Sequence, residues 1–108
     1  MNEVLAMLNE IGIPFVYSHW APGEVPDTPY ICYCGTYSNP FGADGEIYKD
    51  FLNISIELYT EIKDLESEKK IRAVLDTHGI FYSRTETWIP DEELYDVLFE
   101  FEIMEDDD

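Results

Sequence analysis

Two segments of the chain alternate apolar and polar positions regularly enough to predict β-strands. Apolar side chains occupy every second position of residues 52–59, and Val97, Phe99, Phe101 and Ile103 repeat that pattern near the end of the chain. Successive side chains of a strand point to opposite faces, so both segments should bury one face and leave the other in water. Residues 92–101 also fit a helix, but the strict alternation from Val97 onward favours a strand.

Two other segments have apolar residues at helical spacing. Asn2 and Asp64 are residue types that cap helix starts, and Gly12 and Gly79 stand where left-handed helix ends are expected. The predicted buried side of the first helix holds Val4, Leu5, Leu8 and Ile11. That of the second holds Leu65, Ile71, Val74, Leu75 and His78. The sequence therefore predicts two amphipathic helices, one near each of these caps.

The remaining segments predict three further strands and two loops. Residues 15–20, 30–37 and 81–88 are rich in aromatic and β-branched types, and residues 30–37 are apolar on both faces, as in a strand covered on both sides. Residues 21–29 contain three prolines and predict a loop. Residues 38–45 end in Asp-Gly, which is a strong hairpin signal.

These elements follow one another in the order α-β-β-β-α-β-β. Short connections between them favour antiparallel neighbours, and two amphipathic helices with one sheet predict an α+β fold. We expect a two-layer sandwich whose mainly antiparallel sheet carries both helices on one face. Residues 1–104 should form a single domain, and the acidic residues 105–108 should form a disordered tail.

The composition excludes several kinds of partner. The 108 residues include 24 acidic and only 6 basic ones, which gives a formal charge of -18. Such a surface repels nucleic-acid backbones and anionic membranes, so neither is expected as a bound partner. With 45% hydrophobic residues the chain should nevertheless fold around a core. No basic, apolar leader is evident near Met1, so we expect a soluble protein made in the cytoplasm.

Few residues of the sequence suggest a catalytic or ligand-binding role. Cys32 and Cys34 share one face of a strand with Cα atoms about 6.5–7 Å apart, which is at or beyond disulfide range, so small core or half-buried roles are expected. His78 continues an apolar stripe, and His19 has no nearby nucleophile or second ligand in the sequence. Carboxylates are abundant enough for weak divalent-cation binding. We predict no catalytic, cofactor-binding or dedicated metal-binding residue, and the chain is not expected to be an enzyme.

Aromatic residues are more numerous than one face of a small sheet readily buries. Phe41 lies in a turn-rich loop, where an exposed aromatic side chain often marks an interface. Tyr59 lies on the wet face of its predicted strand. Phe41, Tyr48, Phe51 and Tyr59 are therefore candidates for contacts with another subunit or with a partner protein; folding back over the core is the alternative.

Five short segments support a resemblance to a known family. They are Gly12-Ile13-Pro14-Phe15, Pro29-Tyr30-Ile31, Ile56-Glu57-Leu58-Tyr59-Thr60, Gly79-Ile80-Phe81-Tyr82 and Leu94-Tyr95-Asp96-Val97-Leu98-Phe99. In this order and spacing, the chain resembles the tail-completion proteins of long-tailed phages and prophages of Gram-positive bacteria, which are also called tail-terminator or head–tail joining proteins.

The resemblance implies a structural role in the neck of a virion. Members of the family are small α+β proteins that typically form hexameric rings on the tail tube, with the tail-tube protein on one side and the head connector protein on the other. Genome DNA passes through the lumen of the ring. We expect acidic residues, with Glu24, Asp27, Asp44 and Glu46 as candidates, to line that lumen and repel the passing DNA. The protein would be made in the host cytoplasm and reside in the virion.

Two other functions remain open from the sequence. A small, strongly acidic protein can imitate duplex DNA and inhibit a DNA-handling enzyme, provided that its carboxylates are spaced like phosphates. The chain could instead be another minor virion or connector component. Both alternatives share the acidic surface and differ from the ring in the partner that they bind.

Overall fold

The computed structural model describes residues 1–37 and 51–104. Within these ranges the chain forms helices α1 (Asn2–Ile11) and α2 (Leu65–Thr77). The strands are β1 (Phe15–Tyr17), β2 (Tyr30–Tyr37), β3 (Phe51–Thr60), β4 (Tyr82–Ile89) and β5 (Leu94–Met104). The predicted α+β class and the element order α-β-β-β-α-β-β are both confirmed, and residues 94–104 form a strand rather than a helix.

The strands form one sheet in the order β1-β2-β3-β5-β4. Every neighbouring pair is antiparallel except β1 and β2, which run parallel with Phe15 opposite Ile31. The expectation that short connections would make all neighbours antiparallel is wrong at this pair. Residues 18–29 connect the two strands, and a connection of about a dozen residues is long enough to return the chain for parallel pairing.

The core lies between one face of the sheet and both helices. Residues 52, 54, 56 and 58 of β3 are buried, and Ile56 lies directly opposite the fully buried Phe99 of β5. Val4, Met7, Leu8 and Ile11 of α1 belong to the same core cluster, as do Ile71 and Leu75 of α2. Both helices therefore cover one face, which confirms the predicted two-layer sandwich.

Three local predictions about α1 and α2 are wrong in detail. Asn2 is the first residue of α1 rather than its cap, since Met1 holds that position without a side-chain hydrogen bond. Met7 is buried and Leu5 is exposed, because the buried side of α1 follows residues 4, 7, 8 and 11. Leu65 is also exposed, since the buried side of α2 begins at Ser67.

Two predicted strands also have different ends in the structure. The first was expected to reach residue 20 but ends at Tyr17, where Ser18 adopts the positive φ of 69° and turns the backbone away. The fourth begins one residue later than expected, at Tyr82, and leaves Phe81 outside the sheet. The other helix ends agree with the sequence: Asp64 Oδ1 accepts a hydrogen bond from Ser67 N at 3.1 Å, and Gly12 has a φ of 77°.

A buried carboxylate joins α2 to the edge strand β4. Glu68 lies on the core side of α2 and is only 3% exposed. Arg84 Nη2 of β4 lies 2.7 Å from Glu68 Oε1, and Lys63 Nζ lies 2.8 Å from Glu68 Oε2. Both cations also contact Glu86 of β4. A buried carboxylate is tolerated only when it is paired and hydrogen-bonded, and these two cations meet that requirement.

His78 joins the two helices. Its Nδ1 lies 3.4 Å from Glu3 Oε2, and its Nε2 lies 3.2 Å from Glu10 Oε1, so the ring bridges both ends of α1. Partial burial acts to lower the pKa of His78, but the hydrogen bonds and negative charges of Glu10 and Glu3 outweigh it, and the pKa is raised. His78 therefore contacts α1 through two glutamates, whereas its place in the apolar stripe of α2 suggested an apolar contact.

Truncating the core side chain Phe99 should strongly destabilise the fold. Phe99→Ala removes a fully buried ring that packs edge-on against Tyr82, with centroids 5.6 Å apart. We expect a loss of about 3–5 kcal/mol in the free energy of unfolding, measured by urea denaturation. Glu100→Ala, at the neighbouring exposed position, should change it by less than about 0.5 kcal/mol. Equal losses in the two variants would contradict the one-sided burial.

Removing the His78 bridge should lower the stability of the fold more in mild acid than in base. Because folding raises its pKa, the protonated ring stabilises the fold below about pH 6.5, and this contribution is lost as the pH rises through the folded pKa. His78→Gln should therefore lower the free energy of unfolding more at pH 6.0 than at pH 8.5, by roughly 0.5 kcal/mol. Denaturation of both proteins at the two pH values measures this, and a pH-independent difference would contradict the bridge.

Candidate functional site

The face of the sheet opposite the helices is covered by no helix within the described ranges, and we call it the uncovered face. Its residues on β2 are Tyr30, Cys32, Cys34 and Thr36, and those on β3 are Asn53, Ser55, Glu57 and Tyr59. From β5 it has Asp96, Leu98, Glu100 and Glu102, and from β4 Ser83, Thr85 and Thr87. The prediction that residues 30–37 are covered on both sides is wrong, since Thr36 is exposed and both cysteines are only half-buried.

The most densely connected part of this face is a group that we call the carboxyl–aromatic cluster: Tyr30, Cys32, Glu57, Tyr59 and Asp96. The strand register brings it together, because Tyr59 lies between Tyr30 on β2 and Asp96 on β5. The rings of Tyr30 and Tyr59 stack with centroids 5.3 Å apart. The Tyr59 hydroxyl donates a hydrogen bond to the Glu57 carboxylate. The cluster thus spans the three central strands.

The Asp96 carboxyl of this cluster ionises less readily than an ordinary aspartate. Burial raises the pKa of Asp96 to about 7, and the charge of Glu57 together with its hydrogen bond to Asp96 adds to the rise. Two carboxylates side by side in a half-buried setting repel each other, so one of them keeps its proton at higher pH than usual. Near neutral pH, a fraction of the Asp96 carboxyl therefore stays protonated beside Glu57.

The other titratable groups of the cluster shift in the same direction. Burial, with the nearby Glu57 carboxylate, raises the pKa of Cys32 to about 11. Burial and the hydrogen bond to Glu57 raise the pKa of Tyr59 well above its ordinary value. A nucleophile is activated when its pKa is lowered, so neither the thiol nor the phenol is prepared for attack. These shifts, like that of Tyr30, all favour the uncharged form of the side chain.

Aromatic side chains extend the cluster toward β1. Trp20 meets the edge of the Tyr30 ring with centroids 6.2 Å apart, and its indole Nε1 is buried with no hydrogen-bond partner among the described residues. At the other end of the uncovered face, an open groove of about 490 Å³ is lined by small polar side chains and by Glu100 and Glu102. One end of the face is therefore aromatic and partly buried, while the other end is exposed to solvent and carries Glu100 and Glu102.

The structure separates the predicted site residues. Tyr59 is half-buried within the cluster, and Phe51 is 42% exposed at the start of β3 on the same face. Glu24 and Asp27 are exposed in the loop that precedes β2. Phe41, Tyr48, Asp44 and Glu46 lie outside the described residues, as do residues 105–108 and the hairpin signal at Asp44-Gly45.

The Glu57–Asp96 pair was not predicted from the sequence. Both residues occupy polar positions of well-patterned strands, and that is the only signal the sequence offers. Their proximity depends on β5 pairing with β3 rather than with β4 alone, which is a property of the sheet order. A carboxyl pair formed across strands cannot be recognised until the neighbouring strands are known.

The two cysteines and the histidines add no ligand set to this face. Cys32 and Cys34 are both free thiols. His19 is exposed, with its Nδ1 3.1 Å from Ser18 Oγ, and His78 lies between the helices. Among the described residues, no three His, Cys, Asp or Glu side chains come together in a way that could hold a metal ion.

Comparisons with known proteins leave the site to be interpreted from its own chemistry. No protein-family model matches the chain, and no curated protein matches it. Neither α1 nor α2 has the length and apolar character that a membrane-spanning helix needs.

The raised pKa of Asp96 should make the stability of the protein fall between mild acid and neutral pH. A carboxyl whose pKa rises from about 4 unfolded to about 7 folded opposes folding when it ionises, so its penalty grows across that interval and is complete above it. Asp96→Asn removes the ionisation and should be more stable than the parent at pH 8, by roughly 1–3 kcal/mol. This advantage should shrink toward pH 5.

Denaturant unfolding at pH 5, 6, 7 and 8 measures this difference. Glu100→Gln neutralises an exposed carboxylate on the same strand and face, and it should show little pH-dependent change relative to the parent. An Asp96→Asn advantage that is the same at all four pH values would contradict the raised pKa of Asp96.

Proposed function

We propose that the protein is a non-enzymatic subunit of a phage neck, which assembles as a ring at the head-proximal end of a tail tube and joins it to the head connector. The family resemblance is the starting point of this proposal. Its matching segments lie in the turn after α1, at the start of β2, in the central strand β3, in the turn before β4 and in β5. These are positions that determine the fold, so the resemblance concerns the architecture of the whole chain.

The uncovered face is the observation that carries the functional part of the proposal. A sheet that has helices on one face only leaves a broad surface available for other contacts. On this surface the raised pKa values of Cys32 and Tyr59 keep the thiol and the phenol uncharged, so neither is an activated nucleophile.

The acidic end of the uncovered face supports a lumen for DNA. Glu100 and Glu102 are exposed on β5, beside the small polar side chains of Asn53 and Ser83. We propose that this face, with the helices on the outside of the ring, borders the channel. Carboxylates at the channel wall repel the phosphates of the duplex and keep it from adhering. Glu24 and Asp27 are exposed in the loop between β1 and β2 and do not belong to the strands of this face, and we therefore assign the wall to Glu100 and Glu102.

Deleting the gene from its phage or prophage tests the structural role. Loss of a subunit that ends the tail tube and docks the head should give unattached heads and tails of irregular length in electron micrographs. Supplying the parent protein from a plasmid should restore joined particles. Complete necks in the deletion strain would contradict the proposal.

Neutralising the channel wall tests the lumen separately. Particles carrying Glu100→Gln with Glu102→Gln should assemble normally but eject DNA more slowly, by several-fold, because phosphates are no longer repelled. A matched control, Glu66→Gln with Glu93→Gln, removes two exposed charges from α2 and from the turn before β5 and should leave ejection unchanged. Equal ejection rates in both double variants would contradict the assignment of the uncovered face to the channel.

A further inference from the structure

The carboxyl–aromatic cluster has no positive charge beside its carboxyls. Five of the six basic residues of the chain lie within residues 61–86, which contain α2 and most of β4. On the uncovered face β4 contributes only one serine and two threonines, and among the described residues this face carries acidic but no basic side chains. Glu57 and Asp96 therefore lie half-buried without a cation from the described part of their own chain.

The other buried carboxylate of the fold shows what this cluster lacks. Glu68 has Arg84 at 2.7 Å and Lys63 at 2.8 Å. Asp96 is hydrogen-bonded to Glu57, a further carboxyl, and its Oδ1 is buried with no hydrogen-bond partner among the described residues. A carboxylate withdrawn from water is costly unless it is paired. A cation that comes from another molecule would supply the missing partner.

The aromatic part of the cluster favours one kind of cation. The rings of Tyr30 and Tyr59 stack with centroids 5.3 Å apart and an interplanar angle of 24°, and Tyr59 lies opposite Asp96 on β5. A planar guanidinium stacks on an aromatic ring and donates parallel hydrogen bonds to a carboxylate, whereas an ammonium is a compact and strongly hydrated charge. Stacked tyrosines beside two carboxyls therefore fit arginine better than lysine.

The two edges of the sheet are less suited to a partner than this face. At one edge, β1 has only three residues. At the other edge, Arg84 and Glu86 of β4 point to the helix side of the sheet and are engaged with Glu68 and Lys63. Short edge strands and inward-pointing charges disfavour the addition of a further strand. Contact through the uncovered face is therefore favoured over strand addition.

We propose that the carboxyl–aromatic cluster is a docking site for a partner protein that presents an arginine side chain to the uncovered face. The guanidinium lies against the Tyr30–Tyr59 stack and pairs with Glu57 and Asp96. The negative charge of the rest of the face attracts a basic partner and repels an acidic one. The channel wall proposed above lies at the other end of the face, and the docking site does not depend on the neck function.

Binding of a guanidinium should be coupled to ionisation of Asp96. Burial and the charge of Glu57 raise the pKa of Asp96 to about 7, and a cation beside the carboxyl favours its charged form. The titratable groups that face Asp96 are Glu57 and Tyr59 on β3 and Cys32 on β2, while β4 places the uncharged Thr87 opposite it. About a tenth of Asp96 is ionised at pH 6 and about nine tenths at pH 8, so the affinity should rise by up to about tenfold.

A short peptide with arginine between two glycines, blocked at both ends, is the probe. Its only charge is the guanidinium, and the same peptide with lysine is the matched control. Backbone amide signals of the isotope-labelled full chain, recorded by NMR during titration, locate the peptide and measure its affinity. At pH 8 the arginine peptide should shift the signals of Glu57, Tyr59 and Asp96, and it should bind at least about threefold more tightly than the lysine peptide.

Two substitutions separate the cluster from the general negative charge of the protein. Asp96→Asn removes one carboxylate of the cluster, so at pH 8 it should weaken binding of the arginine peptide by at least about fivefold and remove the difference between pH 6 and pH 8. Glu100→Gln removes a negative charge from the same strand and face and should change the affinity by less than about twofold. The amide spectra of both variants report whether they are folded.

Other results would overturn the inference. Equal affinities for the two peptides, signal shifts spread evenly over the face, or an Asp96→Asn variant that binds like the parent would each exclude the arginine site. Arg72 is exposed on α2 and makes a second copy of this chain the alternative occupant. If Arg72→Gln abolishes self-association of the parent in sedimentation velocity, the occupant is a second copy and the inference of a separate partner is wrong.

Discussion

The antiparallel pairing of β3 with β5 determines which side chains enter the core and which meet on the uncovered face. Their register runs without interruption from Phe51 opposite Met104 to Thr60 opposite Tyr95. The same ladder puts Ile56 against Phe99 in the core and Tyr59 against Asp96 outside. Because side chains alternate along a strand, a slip of one residue would exchange these two sets. The core and the carboxyl–aromatic cluster therefore depend on one register.

The parts of the fold that the sequence predicts are those set by local chemistry. The alternation around Ile56 and Phe99 and the cap at Asp64 each reflect interactions within a few residues, and they occur where they were expected. The errors have a different origin. Parallel pairing of β1, the early end of that strand at Ser18 and the exposure of Leu65 all depend on how distant segments pack, which a single pattern along the chain does not encode.

In the candidate site, too, local features were predictable from the sequence and long-range ones were not. That Glu57 and Asp96 lie outside the core was predictable from their polar positions, but the raised pKa of Asp96 follows from the sheet order and from half-burial. The exposure of Phe81 was not predicted, because an aromatic residue at the start of a strand is usually buried. The concentration of basic residues in 61–86, by contrast, can be counted from the sequence. That this segment forms α2 and most of β4 required the structure.

The basic residues of this acidic chain contribute to folding and also shape its surface. Arg84 and Lys63 surround the buried Glu68, where their positive charges allow α2 to pack against β4. Five of the six basic residues of the sequence lie within residues 61–86, so the rest of the chain has only one. Lys69 and Arg72 lie on the same helix and face outward, so the region that needs cations for its own packing is also the region with the weakest negative field. In a chain of charge -18, the requirements of a buried carboxylate thus help to determine where the few basic side chains lie.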